Sequence, residues 1–224
     1  RFARAGGGAC AIAIRIGRAA SGKDKVAFCG YHGWHDWYLA ANLGEDDSLD
    51  GHLIPGLEPN GVPRALQGTS ISFRYNDLEG LRTILQDNPD VGIIFMEPQR
   101  STSPEPGFLQ GVRNLATEHN AVLIFDECTS GFRRTFGGLH MHYGIEPDIA
   151  TFGKTRGSGC AITAVIGREG VMQAEQSTFI SSTFWTERIG PTAALAALEA
   201  MREEDAPSRV HEIGKQVQLR WEQL

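Results

Sequence analysis

Several features that would point to other classes of protein are missing from this sequence of 224 residues. No apolar run approaches the roughly eighteen residues of a membrane-spanning helix. The formal net charge of −6 argues against nucleic acid or an anionic membrane as the main partner, because both reward clustered Lys and Arg. The four cysteines are scattered and include no C-x-x-C pair, so a small disulfide framework is not indicated. The composition therefore predicts a cytoplasmic protein with reduced thiols.

Short apolar runs alternate with amphipathic stretches along the chain. The apolar runs predict strands at 25–29 (KVAFC), 91–96 (VGIIFM), 121–125 (AVLIF), 147–153 (PDIATFG) and 161–167 (AITAVIG). Helical periodicity is found at 9–19, 77–86, 108–119 and 191–202. Residues 42–64 are rich in Gly, Pro, Asp and Asn and are predicted to be irregular. This alternation predicts an α/β fold with a mostly parallel sheet.

Polar side chains stand directly after four of the predicted strands. Tyr31 and His32 follow the first, Glu97 the second, Asp126 the third and Lys154 the fourth. Ligands of parallel α/β sheets bind at the carboxyl ends of the strands. We therefore expect these side chains to share one cleft.

A lysine and a carboxylate in such a cleft are typical of pyridoxal phosphate chemistry. The lysine forms a Schiff base with the cofactor's aldehyde, and the carboxylate keeps the pyridine nitrogen protonated so that the ring acts as an electron sink. Tyr31 is a candidate for covering the ring. The triplet Gly6-Gly7-Gly8 precedes the predicted helix at 9–19, and its backbone N–H groups would bind the phosphate.

Longer motifs carry a family resemblance. AGGGACAIAIRIGRAASGKDKV, GYHGWHD, FMEP, LIFDECTSGFRR, PDIATFGK and SSTFWTERIGPTAALAALE occur in the order found in class III aminotransferases. Within that class the chain most resembles the glutamate-1-semialdehyde aminomutases and their close relatives. The resemblance implies the large domain of a fold-type I pyridoxal-phosphate enzyme, with helices on both faces of a sheet that has one antiparallel strand.

The resemblance also implies a role for individual residues. Lys154 would be the Schiff-base lysine and Asp126 the partner of the pyridine nitrogen. Tyr31 would stack on the ring with His32 beside it, and Glu97, like Glu127, would support the cofactor's surroundings. Gly6 and Gly7 would bind the phosphate, and Thr183 would reach the phosphate held by the other subunit of a homodimer.

The same resemblance bears on the extent of the protein. The chain has no initiator Met, and residues 210–224 look like a helix interrupted in mid-pattern. We expect residues 1–224 to be the pyridoxal-phosphate-binding large domain of a longer protein, without its front segment and its small carboxy-terminal domain. The implied partners are a small-molecule amino donor and an acceptor.

Three departures from the family pattern stand out. The usual Ser-Gly-Thr-Glu-Ala reads AGGGA at positions 5–9, so a hydroxyl contact to the phosphate and an acidic side chain are absent. Cys128 replaces a valine, which a small apolar thiol can mimic. Arg156 is unexpected in a segment that normally packs. These changes predict weaker phosphate binding and leave the substrate open.

Competing interpretations of the same residues stay open at this level. Lys154 alone is typical of a surface lysine, and its pairing with Asp126 argues against that. Asp126 and Glu127 as metal ligands are disfavoured because adjacent strand residues point to opposite faces.

The histidine pairs and the aromatic cluster have simpler explanations than ligand binding. Zinc requires three or four ligands with matched spacing, so we predict no metal site at His32/His35 or His140/His142. Trp34, Trp37 and Tyr38 are predicted to pack within a loop. The pattern G-x-G-x-x-G of dinucleotide sites is not met.

Three functions are compatible with these motifs. The first is amino-group transfer of the aminomutase kind. The second is a class III transaminase acting on an ω-amino or sugar-derived substrate. The third is a catalytically silent paralogue that serves as a binding or oligomerisation partner.

Overall fold

The computed structural model describes residues 1–45 and 47–224, apart from the side chains of Thr183 and Phe184. The strands are β1 (Phe2–Ala3), β2 (Lys25–Cys29), β3 (Ser70–Ser72), β4 (Val91–Met96), β5 (Val122–Glu127), β6 (Ile149–Phe152) and β7 (Thr163–Gly167). The α-helices are α1 (Gly6–Ser21), α2 (Asp36–Leu39), α3 (Leu78–Asp87), α4 (Phe108–Glu118), α5 (His140–Tyr143), α6 (Glu169–Met172), α7 (Ile189–Glu203) and α8 (Ala206–Trp221). Short 3-10 helices lie at Ala40–Leu43, Arg64–Leu66, Lys154–Gly157, Gln173–Ser177 and Thr183–Thr186.

The strands form one seven-stranded sheet in the order β1-β7-β6-β5-β4-β2-β3. Five adjacent strands run parallel to one another: β3, β2, β4, β5 and β6. Strand β7 is antiparallel both to β6 and to β1. The predicted mostly parallel α/β sheet with one antiparallel strand is therefore confirmed.

Helices cover the sheet on both faces because its strands are apolar in both directions. In β4 the side chains of Ile93 and Phe95 pack towards α1, and those of Ile94 and Met96 pack towards α3 and α4. All six residues of β4 are buried. This two-sided burial is the reason for the continuous apolar run in the sequence.

The bounds of several elements differ from those predicted. Helix α1 begins at Gly6 rather than at residue 9, so the three glycines form its first turn instead of preceding it. Strand β5 continues to Glu127, so Asp126 lies within the strand. Strands β1 and β3 were not predicted, because two or three residues are too few to show a periodic pattern.

The remaining elements agree closely with the sequence. Strand β2 has the predicted bounds, and α3 starts after Asp77, whose side chain accepts a hydrogen bond from the Gly80 N–H (2.8 Å) and caps the helix. Among the described residues, no helix is both long and apolar enough to cross a membrane.

Candidate active site

Asp126 occupies the next-to-last position of β5, and its carboxylate is almost fully buried. Three strong hydrogen-bond donors point at it. His32 Nδ1 lies 2.9 Å from Oδ2, while the Cys128 N–H and the Thr151 hydroxyl donate to Oδ1 at 3.0 and 3.1 Å. The Cys10 thiol, a weaker donor, lies 3.4 Å from Oδ2. The four contacts use the roughly four acceptor positions of a carboxylate.

These donors decide the charge of Asp126. Burial by itself would raise the pKa of this carboxyl, since desolvation disfavours the charged form. The hydrogen bond from His32, the positive charge of that ring and the N–H of Cys128 outweigh burial and lower the pKa below its ordinary value. Asp126 is therefore a buried, ionised carboxylate at the carboxyl end of β5.

His32 is buried and lies between two hydrogen-bond acceptors. Its Nδ1 faces Asp126, and its Nε2 lies 3.1 Å from the carbonyl oxygen of Cys29. Both partners only accept, so the ring nitrogen is the donor in each bond that is made. The ring also packs edge-on against Phe95, with centroids 4.4 Å apart. His32 thus positions Asp126 and holds it to β2.

Lys154 is the first residue of the 3-10 helix that follows β6, and it is exposed. Its amine donates a 2.6 Å hydrogen bond to the hydroxyl of Thr129, just beyond β5. Its backbone φ of 37° is uncommon for a residue with a side chain, and such strain is typical of functional sites. Within the described part of the chain, no carboxylate lies within ion-pair distance of this amine. The amine is thus oriented by a neutral group.

The Cys128 thiol lies where three segments of the site come together. A Cβ added to Gly6 would lie 3.5 Å from its Sγ, and one added to Gly153 would lie 3.2 Å from it. The sulfur is also 3.8 Å from the Thr151 hydroxyl. The start of α1, the end of β5 and the residue before Lys154 therefore converge on one small side chain.

The first turn of α1 presents an open cradle. The N-cap residue Ala5 makes no side-chain hydrogen bond to the helix, and no acidic side chain stands in the first turn. A Cβ on Gly7 would lie 2.8 Å from His35 Nδ1. That nitrogen is buried and has no hydrogen-bond partner among the described atoms. A helix N-terminus with free N–H groups favours an anion such as a phosphate.

Glu97 organises the loop that carries Tyr31. Its carboxylate accepts the Tyr31 N–H at 3.2 Å and lies 3.5 Å from the Arg100 guanidinium. Burial raises the pKa of Glu97, and the positive charge of His32 opposes the rise. The Arg100 guanidinium also stands 5.7 Å from the centre of the Tyr31 ring.

A cavity of about 590 Å³ opens beside this loop. Glu97 and Arg100 line it together with Arg74 and His52. Lys154 and Asp126 are not on its wall, so the cavity adjoins the lysine–aspartate site instead of containing it. Its two arginines suit an acidic ligand group.

Other residues singled out in the sequence lie elsewhere. Glu127 points away from Asp126, and its carboxylate holds His140 through both the backbone N–H (2.9 Å) and Nδ1 (2.8 Å). The Arg156 guanidinium stacks 5.5 Å from the Phe2 ring. The side chain of Thr183 lies outside the described residues.

The predicted aromatic packing is confirmed in two of its three members. Trp37 and Tyr38 are buried in the core around Phe28. Trp34 is instead 73% exposed and stacks on His35, with ring centroids 4.7 Å apart.

All 224 residues match the sequence profile described as Aminotransferase class-III. The chain belongs to the class III aminotransferases. Enzymes of this family use pyridoxal phosphate.

Individual relatives agree with this assignment. The 3-aminobutyryl-CoA aminotransferase of Cloacimonas acidaminovorans (strain Evry) is 38% identical over 206 residues, which cover 88% of this chain and 46% of the relative. The crystal structure of an omega-transaminase from Sphaerobacter thermophilus superposes with a TM-score of 0.77 at 26% identity, covering 90% of this chain and 49% of that one. The chain thus spans about half the length of these relatives.

A glutamate-1-semialdehyde aminomutase from Pseudomonas aeruginosa PAO1 is also similar in structure. Its TM-score is 0.69 at 24% identity, with 88% of this chain and 46% of that chain covered. At that identity the likeness shows the fold alone. The fold-type I architecture of a class III aminotransferase is therefore established for this chain.

The residues present fit the cofactor of the family. A buried ionised carboxylate suits a positively charged ring nitrogen, and of its four donors the Cys10 thiol is the one displaced at least cost. The uncapped first turn of α1 and the unpartnered His35 nitrogen suit an anionic group. Lys154 offers an amine free of ion pairing.

The structure brings together most of the predicted site residues, although their roles stay predictions. Asp126 and Gly6 lie against Cys128, as does Gly153, the residue before Lys154. His32 binds Asp126, and Glu97 binds the backbone of Tyr31 in the loop beside it. Sequence reasoning did not identify Cys10, Thr129, Thr151 or His35 as part of this region. The only signal for His35 in the sequence was the glycine at position 7, because the space of its absent side chain must be filled by another residue.

Proposed function

We propose that this protein transfers amino groups with pyridoxal phosphate, using Lys154 and Asp126. One observation carries the proposal. A buried carboxylate with a lowered pKa stands at the end of β5, and the neighbouring strand β6 leads to an exposed lysine in a strained backbone conformation. A buried carboxylate with a shifted pKa at the end of a strand is typical of active sites.

Each residue has a defined task in this proposal. When bound, pyridoxal phosphate supplies an electron sink for the charge that develops on the substrate carbon. Asp126 would pair with the ring nitrogen, and its ionised state is maintained by His32. Lys154 would hold the cofactor through its amine and, once released, move a proton at the substrate carbon as general base and acid. Thr129 orients that amine.

We further propose that the substrate is an amine remote from an acidic group, as in an ω-transaminase, rather than that of an aminomutase. The 38% identical relative is named for 3-aminobutyryl-CoA, and the 26% identical structure is that of an omega-transaminase. The cavity lined by Arg74 and Arg100 beside Tyr31 would accommodate the acidic end. A keto acid or aldehyde would then accept the amino group.

The assembly and location follow as proposals of the same kind. A homodimer with its cofactor sites near the interface rests on the family position of Thr183. A cytoplasmic location rests on the scattered cysteines, all four of which are free thiols in the structure.

The cofactor claim is tested by the visible absorption of the protein with added pyridoxal phosphate. We expect a visible absorption band from lysine-bound cofactor that is lost in Lys154→Ala and kept in Lys215→Ala, a control on the distant helix α8. Asp126→Asn should retain the band but lower amine transfer by about 100-fold or more, because the charge opposite the ring nitrogen is gone.

Substrate class is tested with a panel of β- and ω-amino acids, simple amines and glutamate-1-semialdehyde. Amine transfer from the first group supports the transaminase, whereas 5-aminolevulinate formed from glutamate-1-semialdehyde supports the aminomutase. A protein that shows neither an absorption band nor transfer would contradict the proposal and favour the silent paralogue.

A further inference from the structure

We propose that His35 is a phosphate-positioning residue, whose imidazole takes the place of the side chain that α1 lacks at Gly7. The inference rests on the proposed function and deepens it. It assigns to the turn after β2 a role in holding the cofactor's phosphate at the start of α1.

The first observation is that His35 fills the space of a residue-7 side chain. A Cβ built on Gly7 would lie 2.8 Å from His35 Nδ1 and 2.9 Å from Cε1. Real Cβ atoms do not approach other atoms this closely, so a threonine at position 7 and the present ring position exclude one another. The hydroxyl that the family has at residue 7 and the imidazole of His35 are therefore alternatives in space.

The second observation is that the displaced position is occupied by a polar atom without a partner. His35 Nδ1 is buried and makes no hydrogen bond to any described atom. A buried nitrogen left unpaired costs stability. A phosphate oxygen accepting the Nδ1–H would remove that cost.

The third observation is that the surroundings favour an anion and hold the ring in place. Helix α1 has 16 residues, no side-chain cap and no acidic residue in its first turn, so its positive end is uncompensated. The turn carrying His35 lies against that end, since a Cβ on Gly33 would be 2.8 Å from Gly7 Cα. Trp34 stacks on the imidazole.

A zinc site at the His32/His35 pair does not account for these features. Both nitrogens of His32 are engaged by Asp126 and the Cys29 carbonyl, which leaves it no lone pair for a metal. The unpartnered nitrogen belongs to His35 alone, and it faces Gly7 and the helix end.

The test compares four proteins: the unmodified chain, His35→Ala, Gly7→Thr and the double variant. Dissociation constants for pyridoxal phosphate and for pyridoxal, which lacks the phosphate, are measured from the absorption of bound cofactor. We expect His35→Ala to weaken binding of pyridoxal phosphate by about tenfold or more, as for loss of a hydrogen bond to a charged group, and to leave pyridoxal binding unchanged.

The Gly7→Thr substitution distinguishes a role of His35 in positioning the phosphate from a role in packing alone. Gly7→Thr alone should also weaken pyridoxal phosphate binding, because the new side chain collides with the imidazole. In the double variant the threonine hydroxyl replaces the imidazole, and affinity should return to within about threefold of the unmodified protein. His35→Gln, which keeps a donor, guards against misfolding of the alanine variant, and His142→Ala is the surface control.

Two results would overturn the inference. Equal weakening of pyridoxal and pyridoxal phosphate by His35→Ala would show that the ring only packs. Unchanged affinities of His35→Ala for both pyridoxal phosphate and pyridoxal would show that the ring does not touch the phosphate. Neither result affects the Lys154-dependent absorption band, which tests the proposed function separately. If that band is absent, thermal stabilisation by inorganic phosphate decides: its loss in His35→Ala supports the inference, and its persistence contradicts it.

Discussion

At the scale of single residues, the site is defined by how each polar group is satisfied. Asp126 remains ionised inside the protein because strong donors surround it, and the pKa of this carboxyl is lowered in spite of burial. Its contribution to stability is present above the pKa of the unfolded chain and is lost as pH falls through the lower folded value. Protonation of Asp126 is therefore not the first acid-induced change in the protein.

His52 makes the stability of the protein depend on pH, because its pKa is lower in the folded chain than in the unfolded one. Burial lowers the pKa of His52 from 6.5 to about 4, with the charge of His32 as a second cause. Its Nδ1 accepts the Gly30 N–H at 3.0 Å, which requires that nitrogen to be unprotonated. Between those two pH values the unfolded chain binds a proton that the folded chain does not, so stability decreases as pH falls.

We predict that His52→Gln flattens the pH dependence of unfolding between pH 6.5 and 4. The unmodified protein should lose about 1–2 kcal/mol across that range from this residue, after allowance for partial solvent exposure. Glutamine keeps an oxygen that can accept the Gly30 N–H. Urea unfolding at several pH values gives the measurement, with His211→Gln on exposed α8 as the control. Parallel pH profiles in all three proteins would contradict the prediction.

At the scale of elements, helix α1 connects the core to the site. Its first turn faces Cys128 and His35, while further along Gly17 lies against the sheet. A Cβ on Gly17 would be 2.8 Å from Ile93 Cδ1 and 3.4 Å from Ile124 Cδ1. The absence of a side chain at Gly17 thus sets how closely the helix approaches β4 and β5, and with it the position of its first turn.

We predict different effects on stability for two glycine-to-alanine substitutions within helices. Gly214→Ala, in exposed α8 with nothing within 4 Å of the new Cβ, should stabilise the protein by up to about 1 kcal/mol through helix propensity. Gly17→Ala should be less stable than Gly214→Ala by at least about 1 kcal/mol, because overpacking against Ile93 offsets that gain. Chemical denaturation measures both. Equal stabilities of Gly17→Ala and Gly214→Ala would contradict the prediction and would show that α1 can shift away from the sheet at little cost.

At the scale of the whole molecule, the cavity of about 590 Å³ beside Tyr31 is assembled from segments far apart in the chain. Arg74 and Arg100, which follow β3 and β4, line it together with His52 from the long segment between β2 and β3. Arg100 is paired with Glu97. Arg74 has no such carboxylate partner among the described residues, so its guanidinium is the freer of the two for an acidic ligand.

We predict that Arg74→Gln raises the KM for amino donors with an acidic group by about tenfold or more and leaves that for an uncharged amine unchanged. The reason is loss of a charge-assisted hydrogen bond to the substrate. Steady-state kinetics with matched donors provide the measurement, and Arg82→Gln on the surface of α3 is the control. A rise in KM for both donors would place Arg74 outside substrate recognition.

Several parts of this picture were predictable from residues alone. Runs such as 91–96 indicated strands buried on both faces, since only two covered faces require apolar side chains in both directions. The order of polar residues after those strands indicated Lys154 and Asp126 as one site, because parallel strands end at a common edge. Strands β1 and β3 could not be found in this way, since so few residues show no period.

The remaining features were decided by tertiary structure. Which donors keep Asp126 ionised depends on its contacts with His32, Cys10 and Thr151, and those side chains come from three separate segments of the chain. Likewise, the imidazole of His35 fills the space beside Gly7 only because the turn after β2 packs against the start of α1. The sequence by itself determined the chemical groups and the strand ends that present them, because local patterns encode both. Only the folded chain decided the partners of each group, because distance between side chains is a property of packing.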